Sequence, residues 1–227
     1  VRLNLISWSL RMTAYTSLAA ILAALLLGAM SPGPSFIMVA RSAASRSRAD
    51  GCASALGMGI GGALFAGLAL LGLYSLLSAV TWLYALLKVA GGAYLLYLAF
   101  KIWRGARHAL VLADGTRGTA AAGSRDVRRS LLLGLSTQLS NPKTAIAYGG
   151  IFAALLPAHP PAWYYAVLPP LVFAVEAGWY TVVALAFSSA RPQRLYLKCK
   201  TWIDRGAAGA LGALGLRLVW TARHTGI

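Results

Sequence analysis

Three short stretches of this 227-residue chain carry side chains able to do chemistry in apolar surroundings. Ser31-Pro32-Gly33-Pro34-Ser35 and Gln138-Leu139-Ser140-Asn141-Pro142-Lys143 each set proline among hydroxyl and amide groups, and Glu176 is an acid inside a long apolar run. A proline supplies no backbone donor and clashes with the preceding turn, so a helix entering either motif is predicted to kink or unwind. Unwound backbone exposes carbonyl and N–H groups, and Gly33 lets a ligand approach them closely. Pro142 suits the first turn of a restarted helix, whose N-terminal N–H groups and dipole favour an anion, with Lys143 adding a point charge. Ser35, Gln138 and Asn141 add neutral hydrogen bonding. This inventory matches a zwitterion: a carboxylate at a helix N-terminus or Lys143, an amine at Glu176 or the freed carbonyls.

An ionised carboxylate at the middle of a membrane span costs about 2.5–3.5 kcal/mol on insertion scales, which makes Glu176 a functional candidate. Two readings stand side by side: a group that takes up and releases a proton during a transport cycle, or one half of a fixed ion pair with Lys143 or Lys88. Lys143 in turn either seats a carboxylate or snorkels along its stem to the interface, and snorkelling is the reading for Lys88. Tyr94, Tyr97, Tyr148 and Trp179 either line a passage or pack. Other chemistry lacks its parts. Cys52 and Cys199 form neither a metal set nor a redox pair, and His108, His159 and His224 stand apart from one another. No serine has an embedded base. The expectation is no enzyme, no metal and no cofactor.

The elements that must position these residues are hydrophobic helices. The chain is 59% hydrophobic and 11% charged, and six apolar runs can be read, at 16–40, 53–77, 82–103, 131–156, 163–187 and 206–220. Its net charge of +16 is unevenly placed. Arg41, Arg46 and Arg48 follow the first run, seven Lys and Arg residues from Lys101 to Arg129 follow the third, and Arg191 to Arg205 follow the fifth; the intervening 78–81 and 157–161 have none. That alternation is the positive-inside pattern, which places the basic segments in the cytoplasm and both termini outside. It favours orientation and anionic lipid over a nucleic-acid partner.

The predicted layout is an N-terminal extension at 1–15, a three-helix repeat at 16–103, a cytoplasmic loop at 104–130, a second three-helix repeat at 131–220 and a tail at 221–227. Met12-Thr13 reads as a natural start, which makes the preceding residues an upstream extension. The first and fourth runs share the proline interruptions; the third and sixth share a cation, a Gly-Ala step and a closing tryptophan, Trp103 and Trp220. Three spans per repeat is an odd number, so the halves enter the membrane in opposite senses, with a site expected at their interface near the midplane. The predicted fold class is therefore an all-α integral membrane protein, six transmembrane helices in a 3+3 inverted repeat with two proline-broken helices. Gly57, Gly59, Gly61, Gly62 and Gly67, and Gly206, Gly209, Gly212 and Gly215, are expected to serve close helix packing.

Ser31-Pro-Gly-Pro34, Gly91-Gly-Ala-Tyr-Leu-Leu-Tyr97 with Lys101-Ile-Trp-Arg104, and Gly134…Asn141-Pro-Lys143 resemble the LysE/RhtB family of amino-acid exporters. Val175-Glu-Ala-Gly-Trp179 and Trp202-Ile-Asp204 are similar to its threonine/homoserine branch. The resemblance runs from about Met12 to Val219. It implies a multi-pass protein of the bacterial inner membrane that exports small amino acids or derivatives, homoserine lactones included, driven by the proton gradient. Its implied partners are the amino-acid substrate, protons and the bilayer; a homo-oligomer is compatible with it. Family members often carry Asp or Asn after Pro-Gly-Pro, where this chain has Ser35, which implies altered selectivity. A related redox carrier needs thiols near the two proline motifs, and none is there. The readings kept beside export of amino acids are a non-transporting structural or signalling subunit and an exporter of another small solute or cation.

Overall fold

A computed structural model describes residues 2–79, 81–107, 126–157 and 160–224. The described residues form eight helices and no strand: α1 (Arg2–Met30), α2 (Pro34–Ser45), α3 (Arg48–Ala79), α4 (Thr81–Gly105), α5 (Val127–Ser140), α6 (Pro142–Leu155), α7 (Trp163–Phe187) and α8 (Ala190–His224). The predicted loop at 104–130 falls mostly outside the described residues, as do His108 and His159. Helical backbone of α1 runs through most of the 1–15 segment.

The chain leaves helix at both proline motifs for local reasons. Gly33, in extended conformation, precedes Pro34 at the first turn of α2, and its carbonyl accepts the first bond of that helix from Ile37 N at 2.9 Å. Asn141 has φ −80° and ψ 107°, the extended geometry imposed on a residue before proline. Its Oδ1 accepts from Lys143 N at 3.0 Å, and its carbonyl accepts from Thr144 N and Ala145 N, so Asn141 caps α6.

Three helical stretches are long and apolar enough to cross a membrane by themselves: Met12–Met30, Arg48–Gly72 and Trp163–Phe187. α5 and α6 have 14 residues each, about 21 Å at 1.5 Å per residue, and neither alone reaches across about 30 Å of hydrocarbon. Proline did not interrupt every helix. Pro169 and Pro170 lie within α7, which continues through them. In a membrane helix such residues are tolerated where neighbours meet the freed backbone groups. The basic stretch from Arg191 to Arg205, expected to be a cytoplasmic connection, is the first half of α8. Pro192 lies in the first turn, where it displaces no helical bond, and nothing after it breaks the helix. At 35 residues, α8 is about 52 Å long, so its basic half has room to project past an apolar slab.

α3 packs on α5 and α7, and α4 on α6 and α8, so each half of the chain is interleaved with the other. Glycine sets how closely they meet. A Cβ on Gly57 would lie 2.1 Å from the Leu131 carbonyl oxygen, and one on Gly134 2.2 Å from that of Ser54. A Cβ on Gly91 would lie 2.6 Å from the Gly150 carbonyl oxygen. On α8 the packing expectation holds for Gly215, which meets Gly92 and Leu96, whereas Gly206 and Gly209 face open space. Gly57→Val should therefore push α3 from α5 and cost about 1–3 kcal/mol or more, while Gly209→Ala is neutral. Thermal melts of the detergent-solubilised protein, followed by the fraction remaining monodisperse, would check the contrast; equal melting of the two variants contradicts it.

The interior has two apolar clusters. One gathers Ile21, Leu25, Leu70, Ile151, Phe152 and Leu168; the other gathers Phe36, Val39, Met58, Tyr180, Val183 and Phe187. Large apolar side chains on the outside, among them Leu68, Phe100, Ile146 and Leu216, are more than half exposed, as suits a lipid-facing surface.

Candidate functional site

Both helix interruptions and Glu176 converge on one buried polar string between these clusters. Asn141 Nδ2 donates to Ser35 Oγ at 2.9 Å, and Ser35 Oγ donates to Gln138 Oε1 at 2.8 Å. Gln138 Nε2 then donates to Glu176 Oε2 at 3.2 Å, and Tyr148 OH donates to Glu176 Oε1 at 3.1 Å. Ser35, Gln138, Asn141, Tyr148 and Glu176 are each at most 5% exposed. The string has a direction. Every donor points toward the carboxylate, which accepts at both oxygens, the arrangement that solvates an ionised acid deprived of water.

The carbonyls at the end of α1 are met separately. Lys143 Nζ donates to Ser31 O at 3.0 Å and lies 3.5 Å from Gly28 O, and Trp179 Nε1 donates to Ala29 O at 3.2 Å. A cation belongs at a helix C-terminus, where carbonyl dipoles sum. Gly33 is needed for this approach rather than for its backbone angles: an added Cβ would sit 3.3 Å from Lys143 Nζ. Among the described residues Glu176 makes no ion pair within 4.0 Å, and Lys143 serves carbonyls instead. The side chain of Lys88 lies outside the described residues.

A cavity of about 30 Å³ lies along the string, lined by Ser31, Gly33, Ser35, Gln138, Asn141, Lys143, Tyr148 and Glu176 among others. That is room for a water or two, and far below a usual small-molecule pocket. A larger vestibule of about 540 Å³ opens toward the basic end of the bundle, lined by Pro32, Pro34, Pro142, Lys101, Lys200 and Asp204 and sharing Ser31, Gly33, Asn141 and Lys143 with the inner cavity. Lys143 thus stands in the wall between them. At the opposite end Tyr164 OH donates to Ala14 O at 2.7 Å and Ser17 Oγ to Leu155 O, bonds that tie α1 to α7 and α6.

Sequence reasoning missed part of this. Tyr148 was weighed between packing and lining, and the structure gives it one of the two bonds to Glu176. Gly62 is a wall of the site, since a Cβ there would lie 2.7 Å from Tyr148 OH and 3.0 Å from Glu176 Cγ. Asp50 and Asp204 were read as acids of basic cytoplasmic segments, yet they are 3% and 2% exposed. Asp50 accepts from Ser130 Oγ at 2.7 Å, tying α3 to α5, and Asp204 pairs with Lys200 at 2.8 Å. Burial pushes the Asp204 carboxyl up from its ordinary range, with Lys200 and Lys143 opposing. The one available signal was helical spacing, since Lys200 and Asp204 are four apart on a stretch that contains no breaker. Among the described residues no group of His, Cys, Asp and Glu is placed to hold a metal, and Cys52 and Cys199 are free thiols.

Apolar helices able to cross a bilayer, wrapped around a buried string that ends on a carboxylate, define a polytopic helical membrane protein. The chain belongs to the LysE type translocator family, whose model matches residues 26–222. It is 36% identical over 191 residues to the threonine efflux protein of Salmonella typhi, covering 84% of this chain and 91% of that one. The threonine efflux protein of Escherichia coli K12 is 36% identical over 192 residues, with the same shares covered. A membrane protein of Haemophilus influenzae is 29% identical over 195 residues, 86% of this chain and 92% of that one. No solved structure gives a significant match.

Proposed function

We propose that this protein is a secondary transporter of the bacterial inner membrane that exports small amino acids of the threonine and homoserine kind, or derivatives such as homoserine lactones, in exchange for protons. The observation that carries the reading is the hydrogen-bonded string from Asn141 through Ser35 and Gln138 to Glu176, which joins the ends of both helix interruptions to one buried carboxylate. Relatives named as threonine efflux proteins support the substrate class.

In this reading α1 with α2, and α5 with α6, are two interrupted spans among six, and the halves are an inverted repeat. The basic ends face the cytoplasm and both termini the periplasm. Coupling follows from competition at Glu176. Ionised, the carboxylate holds the substrate's ammonium, with Tyr148 and Gln138 fixing its two oxygens. Protonated from outside, it must donate a hydrogen bond itself, loses its attraction for the amine, and releases the substrate. The carboxylate of the substrate takes the free donor capacity of Lys143 and the amides of Gln138 and Asn141. A 30 Å³ cavity cannot hold an amino acid, so transport requires the helices around the interruptions to open alternately to each side.

The test is efflux from preloaded proteoliposomes with a panel of radiolabelled amino acids and homoserine lactones, with and without an imposed pH gradient. Export of small neutral amino acids that an inward-directed proton gradient accelerates is the expected result. Movement indifferent to the gradient would remove the antiport reading, and no movement of any panel member would remove the transporter reading.

A further inference from the structure

The direction of the polar string has an origin outside the string itself. A side-chain amide has nearly the same shape either way round, so its partners decide which end faces which neighbour. One donor in this set of contacts cannot turn. The backbone N–H of Lys143, fixed in the first turn of α6, donates to Asn141 Oδ1 at 3.0 Å. That leaves Asn141 Nδ2 to donate to Ser35 Oγ at 2.9 Å. Ser35 has a single hydroxyl proton, which goes to Gln138 Oε1 at 2.8 Å. Gln138 therefore presents Nε2, and not Oε1, to Glu176 Oε2 at 3.2 Å.

Packing leaves the Gln138 amide as the one part free to turn. Gln138 is 1% and Ser35 3% exposed. α3 presses on the Gln138 stem, since a Cβ on Gly61 would lie 2.8 Å from both Gln138 Cβ and Cγ. Turned round, the amide would set Oε1 against a carboxylate oxygen, two acceptors with no proton between them. Ser35 is also faced by the hydroxyl of Tyr180, one turn beyond Glu176 on α7. With its proton given to Gln138 and its oxygen engaged by Asn141, Ser35 has little left to offer a ligand.

We propose that Ser35 is a positioning residue for transport: its hydroxyl locks the Gln138 amide with the nitrogen on Glu176, and the α6 cap at Asn141 sets the sense of that lock. The proposal rests on the reading of the protein as a transporter that holds its substrate's ammonium at Glu176. Without the hydroxyl, Gln138 is free to turn, the ionised Glu176 loses a donor, and the ammonium meets a less ordered carboxylate. Ser35 acts on the substrate through Gln138 and does not touch it.

Efflux of radiolabelled L-threonine from proteoliposomes, with thermal melting of the same full-length variants in detergent, tests it. Ser35→Ala is expected to raise the internal concentration for half-maximal efflux about three- to tenfold and to keep the maximal rate. Ser35→Thr keeps the hydroxyl and recovers most of the loss; a Thr variant that melts like wild type without recovering it counts against the proposal. Gln138→Met has no amide to orient, so adding Ser35→Ala to it changes nothing further. Effects that multiply would show Ser35 touching the substrate directly, and would overturn the proposal. Melting reads the same relay without transport. Ser35 and Glu176 share no hydrogen bond among the described residues, yet Ser35→Ala and Glu176→Gln should be non-additive in stability, and additive in the Gln138→Met background. Additivity in both backgrounds overturns the relay. A wild type that moves no threonine overturns the threonine-export reading instead, and the melting cycle still decides whether Ser35 orients Gln138.

Discussion

Glu176→Gln is expected to uncouple export from the proton gradient and to reduce it about 10–100-fold, the loss of one charge-assisted bond to the substrate amine. The substitution keeps the shape of the side chain, and its amide oxygen still accepts from Tyr148 or Gln138. What disappears is the charge that opposes the ammonium and the site that exchanges it for a proton. Measured in proteoliposomes, residual efflux in the variant should show the same rate with and without a pH gradient. The variant should melt somewhat below wild type, because one of the two buried donors at the carboxylate loses its acceptor, while no ion pair among the described residues is broken. Efflux that keeps its dependence on the gradient would show that the proton travels elsewhere, and would leave Glu176 as a bond acceptor that fixes the rotation of α7.

Lys143→Met carries the second large effect. The thioether chain fills the stem's volume, but Ser31 O and Gly28 O lose the cation that lies at the end of α1. These carbonyls are part-buried, and a fully buried one left without a donor costs about 1–3 kcal/mol, so the variant is less stable, by up to that amount, as well as less active. Activity should fall further than stability explains, because the same ammonium faces both the inner cavity and the vestibule. Lys143→Arg separates the two roles. It keeps the positive charge at the helix end, and so most of the stability, but a planar fork is a poor fit beside Gly33, where an added Cβ already lies 3.3 Å from Nζ. Thermal melting and efflux of the pair, measured together, check this. A Met variant that transports like wild type would reduce Lys143 to a helix cap.

Much of the site was readable from residue types. Ser35, Gln138, Asn141, Lys143 and Glu176 were drawn into one inventory because proline, amides and an acid are each expensive in apolar sequence, and the structure brings them to one cavity. Their assignments were not readable. Lys143 was paired in prospect with an anion or with Glu176, but the unsatisfied carbonyls of α1 are nearer, and only three-dimensional packing reveals that. The direction of the string toward Glu176 depends likewise on Tyr148, a residue whose type does not distinguish packing from bonding. Pro169 and Pro170 show the limit of composition from the other side, since the same residue that borders α2 and α6 passes inside α7. Asp50 and Asp204 were set aside because their neighbours in sequence are basic, while their neighbours in space are α5 and the vestibule. Charge patterning describes which end of a bundle a residue occupies, and says little about how deeply it is buried there.

The interleaving of α3 with α5 and α7, and of α4 with α6 and α8, has a bearing on synthesis. When the first four helices have left the ribosome, the glycine notch at Gly57 has no Gly134 to close against, and Gly91 has no Gly150. Glu176 and both amides that serve the string arrive with the later residues. The nascent amino-terminal half is therefore a surface awaiting its complement, to be shielded by lipid or by the insertion machinery, and no part of the interior is finished until translation nearly is.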